Sequence, residues 1–179
     1  DPVRLERILT NPPESLFADA TARLQSDMRD AADDVTAKKI LRIYKNDVAL
    51  LTALADLGGV WPVMTVTRVL AECADAAAVT SVRYLFRMAA ARGQWTPLDA
   101  EQPEKASGYF VLAMGKHGAF ELNYSSDIDL IVFFDRARAR FVGDGDVQSF
   151  FVRLTRSLVG LLEDRTADGY VFRTDLRLR

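Results

Sequence analysis

The sequence predicts an α+β fold, with a helical bundle first and then a small mixed β-sheet with flanking helices. Three patterns predict it. Apolar residues recur at three- and four-residue spacing over residues 16–93, the period of helices that each bury one face. Two short apolar runs, Tyr109–Met114 and Ile128–Phe134, stand between Gly- and Ser-containing stretches, as buried strands do. An amphipathic run over residues 149–165 then leads to an alternating run over residues 170–179.

In the helical part, Leu41, Tyr44, Val48, Leu51 and Ala55 make one stripe. Gly58-Gly59 stops that helix, Pro62 suits the first turn of the next, and Gly93 follows its last turn. This part is expected to support a site located elsewhere. Residues 94–108, with Pro97, Pro103 and several charges, read as a linker. The expected division is therefore residues 1–104, a helical region with its linker, and residues 105–179, a second domain that carries the chemistry. Gly143-Asp144-Gly145-Asp146 makes a turn, and Phe150, Phe151, Leu154, Leu158, Leu161 and Leu162 line one face of the following helix. Asp168-Gly169 turns the chain into the last strand. Alternation there puts Val171, Arg173, Asp175, Arg177 and Arg179 on one face, and Tyr170, Phe172, Thr174, Leu176 and Leu178 on the core face. The chain begins on Asp1 without a methionine and stops at Arg179 inside a strand pattern, so it is expected to be a piece of something larger.

At 49% apolar over 179 residues the chain can bury a real core. Its formal charge of −2 lacks the basic excess that neutralises a phosphate backbone, so nucleic acid is not an expected partner. No apolar run approaches the ~20 residues of a membrane span, and no signal-peptide pattern opens the chain. A membrane is therefore not expected as a partner, and the cytoplasm is the expected compartment. Cys73, the one cysteine, is expected as a buried small hydrophobe. His117, the one histidine, excludes a two-His zinc site and a His-based triad.

The chemistry concentrates in Ser125-Ser126-Asp127-Ile128-Asp129-Leu130. Two carboxylates two residues apart at the start of a strand point the same way. Their mutual repulsion is relieved by a hard cation, and Mg²⁺ favours one or two carboxylates plus substrate phosphates. Asp-x-Asp alone is a common solvated turn. Here the apolar strand behind it fixes the pair at a sheet end, and Met114-Gly115-Lys116 lies eleven residues upstream of Asp127. Gly115 lets the backbone approach a phosphate closely, with Lys116 and Ser126 adding polar contacts.

A strand, an apolar-Gly step, about ten residues and then Asp-x-Asp on the next strand resembles the nucleotidyltransferase superfamily that includes DNA polymerase β. That superfamily usually carries Gly-Gly or Gly-Ser where this chain has Gly115-Lys116. The run from Gly115 through Leu122-Asn123-Tyr124-Ser125-Ser126 to Ile131 is similar to the bifunctional glutamine synthetase adenylyltransferase/adenylyl-removing family. So are the run from Asp168 to Arg179 and Leu54-Ala55-Asp56-Leu57-Gly58-Gly59. The resemblance implies a nucleotidyltransferase sheet and an enzyme that acts on adenylyl groups of glutamine synthetase. Such a family carries a unit that removes AMP from a tyrosine with inorganic phosphate, releasing ADP, and a unit that adds AMP from ATP. The wording Glu121-Leu122-Asn123-Tyr124-Ser125-Ser126-Asp127 resembles the removing unit; the adding unit and a catalytically silent nucleotide-sensing module are the alternatives.

By the same resemblance Asp127 and Asp129 hold metal, expected as two Mg²⁺ ions, and Asp175 is a third ligand or, in the adding direction, a base for the tyrosine hydroxyl. Phosphate and ADP, or ATP, are the expected small substrates and products. Arg173, Arg177 and Arg179 either hold phosphate oxygens or neutralise neighbouring acids. His117 is expected as an exposed loop residue, Glu121 as a support of the loop and Tyr124 as a packing residue. A PII-type signalling protein is the implied regulatory partner.

Overall fold

The computed structural model describes residues 2–143 and 145–178, the side chain of Leu178 excepted. Its elements run α1 (Pro2–Thr10), α2 (Pro13–Asp30), α3 (Asp34–Leu57), α4 (Val63–Ala91), β1 (Tyr109–Met114), α5 (Gly115–Gly118), β2 (Ile128–Phe134), a 3-10 turn (Arg136–Arg138), α6 (Val147–Glu163) and β3 (Thr174–Leu178). The expected α+β architecture is present, with the first two strands at the expected bounds.

The helical stretch breaks where capping residues tell it to. Asp33 accepts the Thr36 N–H at 2.8 Å and starts α3, which separates it from α2. Gly59, at φ +66°, takes the left-handed conformation that ends α3. The stripe Leu41, Tyr44, Val48, Leu51 and Ala55 is buried throughout, and so is Cys73, whose thiol burial pushes up to about 12.

The segment expected as a linker is anchored rather than free. Trp95 is buried, donates its indole N–H to the Pro103 carbonyl at 3.0 Å, and bridges in antiparallel fashion to Phe141. Its ring stacks on Phe150 at 5.8 Å and meets Phe86 edge-on at 4.9 Å. Apolar aromatic area outweighs the local run of turn residues here. One hydrophobic core runs from α2, α3 and α4 through this aromatic group into α6 and the inner face of the sheet.

The sheet order is β1-β2-β3, with β1 antiparallel and β3 parallel to β2. Helix α6 makes the crossover that a parallel pair needs, and it packs on α3, α4 and β3. On β2 the inward residues Ile128, Leu130 and Val132 are buried, which leaves Asp129, Ile131 and Phe133 on the outer face.

The last strand is shorter than the alternation suggests. Residues 170–173 do not pair as strand: the Val171 and Phe172 N–H groups both donate to the Leu162 carbonyl at the end of α6, and Val171 is buried in the core instead of sharing the face of Asp175. Pairing begins at Thr174, where the Glu163 carboxylate accepts from the Thr174 N–H at 2.5 Å and from its hydroxyl at 2.9 Å. From Phe172 onward the expected faces hold, with Phe172 and Leu176 packed against the core and Arg173, Asp175 and Arg177 exposed. Arg179 lies outside the described residues. No described helix is long and apolar enough to cross a membrane.

Candidate active site

The outer face of the sheet brings the expected carboxylates into rows. Met114, Asp129 and Asp175 are register partners across β1, β2 and β3, and Leu112, Ile131 and Arg177 form the next row. Neighbouring strands lie about 4.8 Å apart, so the side chains of Asp129 and Asp175 stand next to each other on one side. An open cleft of about 290 Å³ is lined by Met114, Gly115, Asp129, Asp175 and Arg177, with Leu130 and Ile131. Asp175 thus stands beside Asp129 on a neighbouring strand and on the same face.

Gly115 is the reason the cleft can form. It has φ +54°, a conformation costly for any residue with a Cβ, and a Cβ there would lie 2.6 Å from Asp129 Oδ2. The space a side chain would fill is the space beside the carboxylate. Gly115→Ala is expected to cost about 1–2 kcal/mol of stability from the backbone alone, and to displace Asp129. A thermal melt combined with a Mg²⁺ titration measures both effects, and a variant that keeps wild-type ion affinity would refute the second.

Asp127 has a different partner. It sits one residue before β2 and is exposed, and Arg173 donates Nε–H to its Oδ1 at 2.5 Å and Nη2–H to the Ser125 carbonyl at 3.2 Å. Among the described residues no three His, Cys, Asp or Glu side chains are gathered closely enough to hold an ion. Of the two roles open to Arg173, this arrangement is the neutralisation of a neighbouring acid. Arg177 makes no such pair among the described residues and lies on the cleft wall.

A hard divalent ion fits Asp129 and Asp175 on chemical grounds. Both offer oxygen ligands, and like charges directly opposite across strands destabilise a sheet unless a cation lies between them. Two carboxylates and an open side match an ion that keeps water and substrate phosphates as its remaining ligands.

Helix α5 and the loop between it and β2 hold the remaining residues. Lys116 is exposed, and its carbonyl accepts the Glu121 N–H at 2.8 Å, so Glu121 supports the loop through its backbone. Ser126 donates its hydroxyl to Asn123 Oδ1 at 2.8 Å and accepts the Asn123 N–H at 3.2 Å, which makes it part of a tight turn.

Two expectations fail here. His117 is buried, not exposed, because the α5 turn directs it under β1 towards α4, where Nε2 lies 2.8 Å from Asp75 Oδ1. A carboxylate only accepts, so that nitrogen carries the proton. Tyr124 is not a packing residue. It is half-exposed and donates its hydroxyl to Asp56 Oδ2 at 3.0 Å. Burial, together with the bond to Asp56 and its charge, pushes the phenol up to about 12, so it remains a donor at any physiological pH.

With this geometry established, comparison with known proteins decides the family. The sequence matches the profile of glutamate-ammonia ligase adenylyltransferase over residues 4–179. The chain belongs to that family. Curated relatives named bifunctional glutamine synthetase adenylyltransferase/adenylyl-removing enzyme include those of Bradyrhizobium sp. strain BTAi1, 51% identical over 179 residues, and Rhodopseudomonas palustris strain BisB5, 47% identical over the same length. A third, from Xanthobacter autotrophicus, is 45% identical over 183 residues. Each alignment takes in 100% of this chain but 18% of the relative. Among members of the glutamate-ammonia ligase adenylyltransferase family, this chain corresponds to less than a fifth of the curated relatives it matches.

Proposed function

We propose that this chain carries the site that removes AMP from an adenylylated tyrosine of glutamine synthetase by phosphorolysis. The observation that carries the reading is the pairing of Asp129 with Asp175 on an open sheet face beside Gly115. The names of the relatives support the substrate, and the Asn123-Tyr124-Ser125-Ser126 wording supports the removing direction.

An oxygen of inorganic phosphate bonds to the phosphorus of AMP while the bond from that phosphorus to the tyrosyl oxygen breaks. The proton of the hydrogenphosphate passes to the tyrosyl oxygen, leaving ADP and the unmodified tyrosine side chain of the protein. Asp129 and Asp175 would hold Mg²⁺, and Asp127 would join them where an ion replaces Arg173 as its partner. The bound ion supplies neutralisation of the phosphate oxygens and a template for in-line displacement. Arg177, on the cleft wall, orients phosphate oxygens through its planar donor fork, with Lys116 adding charge from the loop. Gly115 leaves room for a phosphate next to the backbone. Regulation by a PII-type protein and a cytoplasmic setting belong to the same reading.

The direction is tested by comparing rates in the full natural length of the protein. Consumption of phosphate and adenylylated glutamine synthetase is expected to outpace consumption of ATP and the unmodified protein. The opposite ratio would assign the site to AMP addition.

A further inference from the structure

Helix α3 ends with an acid where the helix dipole disfavours one. Asp56 lies in the last turn, at the negative end of the helix dipole, and no basic residue occupies that turn. A residue that breaks a local rule without a stabilising return is a pointer to function. Among the described residues its side-chain hydrogen-bond partner is the Tyr124 hydroxyl, 3.0 Å away and 68 residues along the chain. Tyr124 is half-exposed, so apolar burial does not explain where it sits.

Three residues after Tyr124 comes Asp127. The turn between them is tight: Ser126 N–H donates to the Asn123 carbonyl at 3.2 Å and Ser125 N–H to Asn123 Oδ1 at 3.3 Å. Such a turn transmits a displacement of Tyr124 to Asp127 and to the start of β2. The turn has two side-chain tethers, one to each part of the molecule. Arg173 reaches it from just before β3, and Asp56 reaches it from the helical bundle.

We infer that Asp56 is a positioning residue for the carboxylate loop, acting through Tyr124 from the helical region. It touches no substrate. It holds the loop that carries Asp127 and leads into β2, where Asp129 lines the cleft, and the helix end tolerates an unfavourable charge for that purpose. The inference rests on the proposed phosphorolysis, and its test separates the two.

In the full-length protein, Asp56→Ala is expected to lower kcat for ADP release about tenfold, in line with the sensitivity of catalysis to small misplacements. The melting temperature should stay the same or rise, because the helix end loses an unfavourable charge. Tyr124→Phe should match it, and the double variant should be no slower than either single one. Asp56→Asn should recover most of the rate, since its amide oxygen still accepts the phenol proton. Independently of turnover, hydrogen exchange at the Ser125 and Ser126 amides should accelerate severalfold in Asp56→Ala and Tyr124→Phe. Unchanged exchange would overturn the inference even in a protein that releases no ADP. Unchanged kcat in Asp56→Ala, or losses that add in the double variant, would overturn it while leaving phosphorolysis standing.

Discussion

Asp129→Asn is expected to remove nearly all turnover, by about 10²–10³-fold or more, the usual loss when one charge-stabilising group of a transition state is removed. The same change should leave folding stability unchanged or slightly improved. Asp129 and Asp175 are register partners on one face, and relieving a direct like-charge pair across two strands does not harm the sheet. Asp127→Asn should also abolish turnover but behave differently on unfolding. Its carboxylate is exposed and paired with Arg173, so losing the pair costs roughly 0.2–1 kcal/mol. Steady-state kinetics and urea melts of the two variants side by side test this. A variant at either position that turns over normally would remove it from the site. An Asp129→Asn protein that unfolds would make that residue structural.

Arg42→Met is expected to be the most destabilising single change outside the apolar core, at about 3–5 kcal/mol. Arg42 is fully buried in α3, yet it faces carbonyl oxygens instead of an acid. Its guanidinium donates to the Lys38 carbonyl at 2.9 Å, to Leu161 and Gly169 at 3.0 Å, and to Asp164. Burial holds its pKa below the ordinary arginine value, and the charges of Asp164 and Asp168 oppose that shift. Methionine fills much of the volume but donates nothing, so the Leu161 and Asp164 carbonyls at the end of α6 lose their Arg42 donor, while the Gly169 carbonyl keeps the Thr166 N–H. That turn leads directly into β3, so activity should fall with stability. Lysine should rescue little, because one ammonium cannot span a fork of carbonyls on both sides. The urea midpoint of both variants decides the matter; an unchanged midpoint would show the clamp to be dispensable.

Much of this was legible before any coordinates. Apolar runs alone placed β1 and β2 at their observed ends, because a strand buried on one side and flanked by turn residues leaves little choice of boundary. Period-two alternation puts Asp175 and Arg177 on one face of the last strand, but that Asp175 belongs with Asp129 is what the family resemblance implies, because alternation within a strand does not set its register against a neighbour. What escaped was non-local. Trp95 looked like part of a linker because its neighbours are turn formers, whereas its position is set by distant aromatic rings. Val171 broke the alternation because two backbone donors bind one carbonyl of α6. His117 carries no local sign of burial, because its partner Asp75 is 42 residues away. Arg42 carried no signal at all, since an arginine on a helix is ordinarily solvated. Asp56 carried a weak one, an acid at the wrong end of a helix.

The most direct test of the account is the release of ADP from adenylylated glutamine synthetase by the full-length protein, with inorganic phosphate and Mg²⁺. The account predicts one ADP per tyrosine freed, no ADP without phosphate, and loss of the reaction on chelation of Mg²⁺. Free AMP in place of ADP, or ADP release that survives chelation, would contradict it.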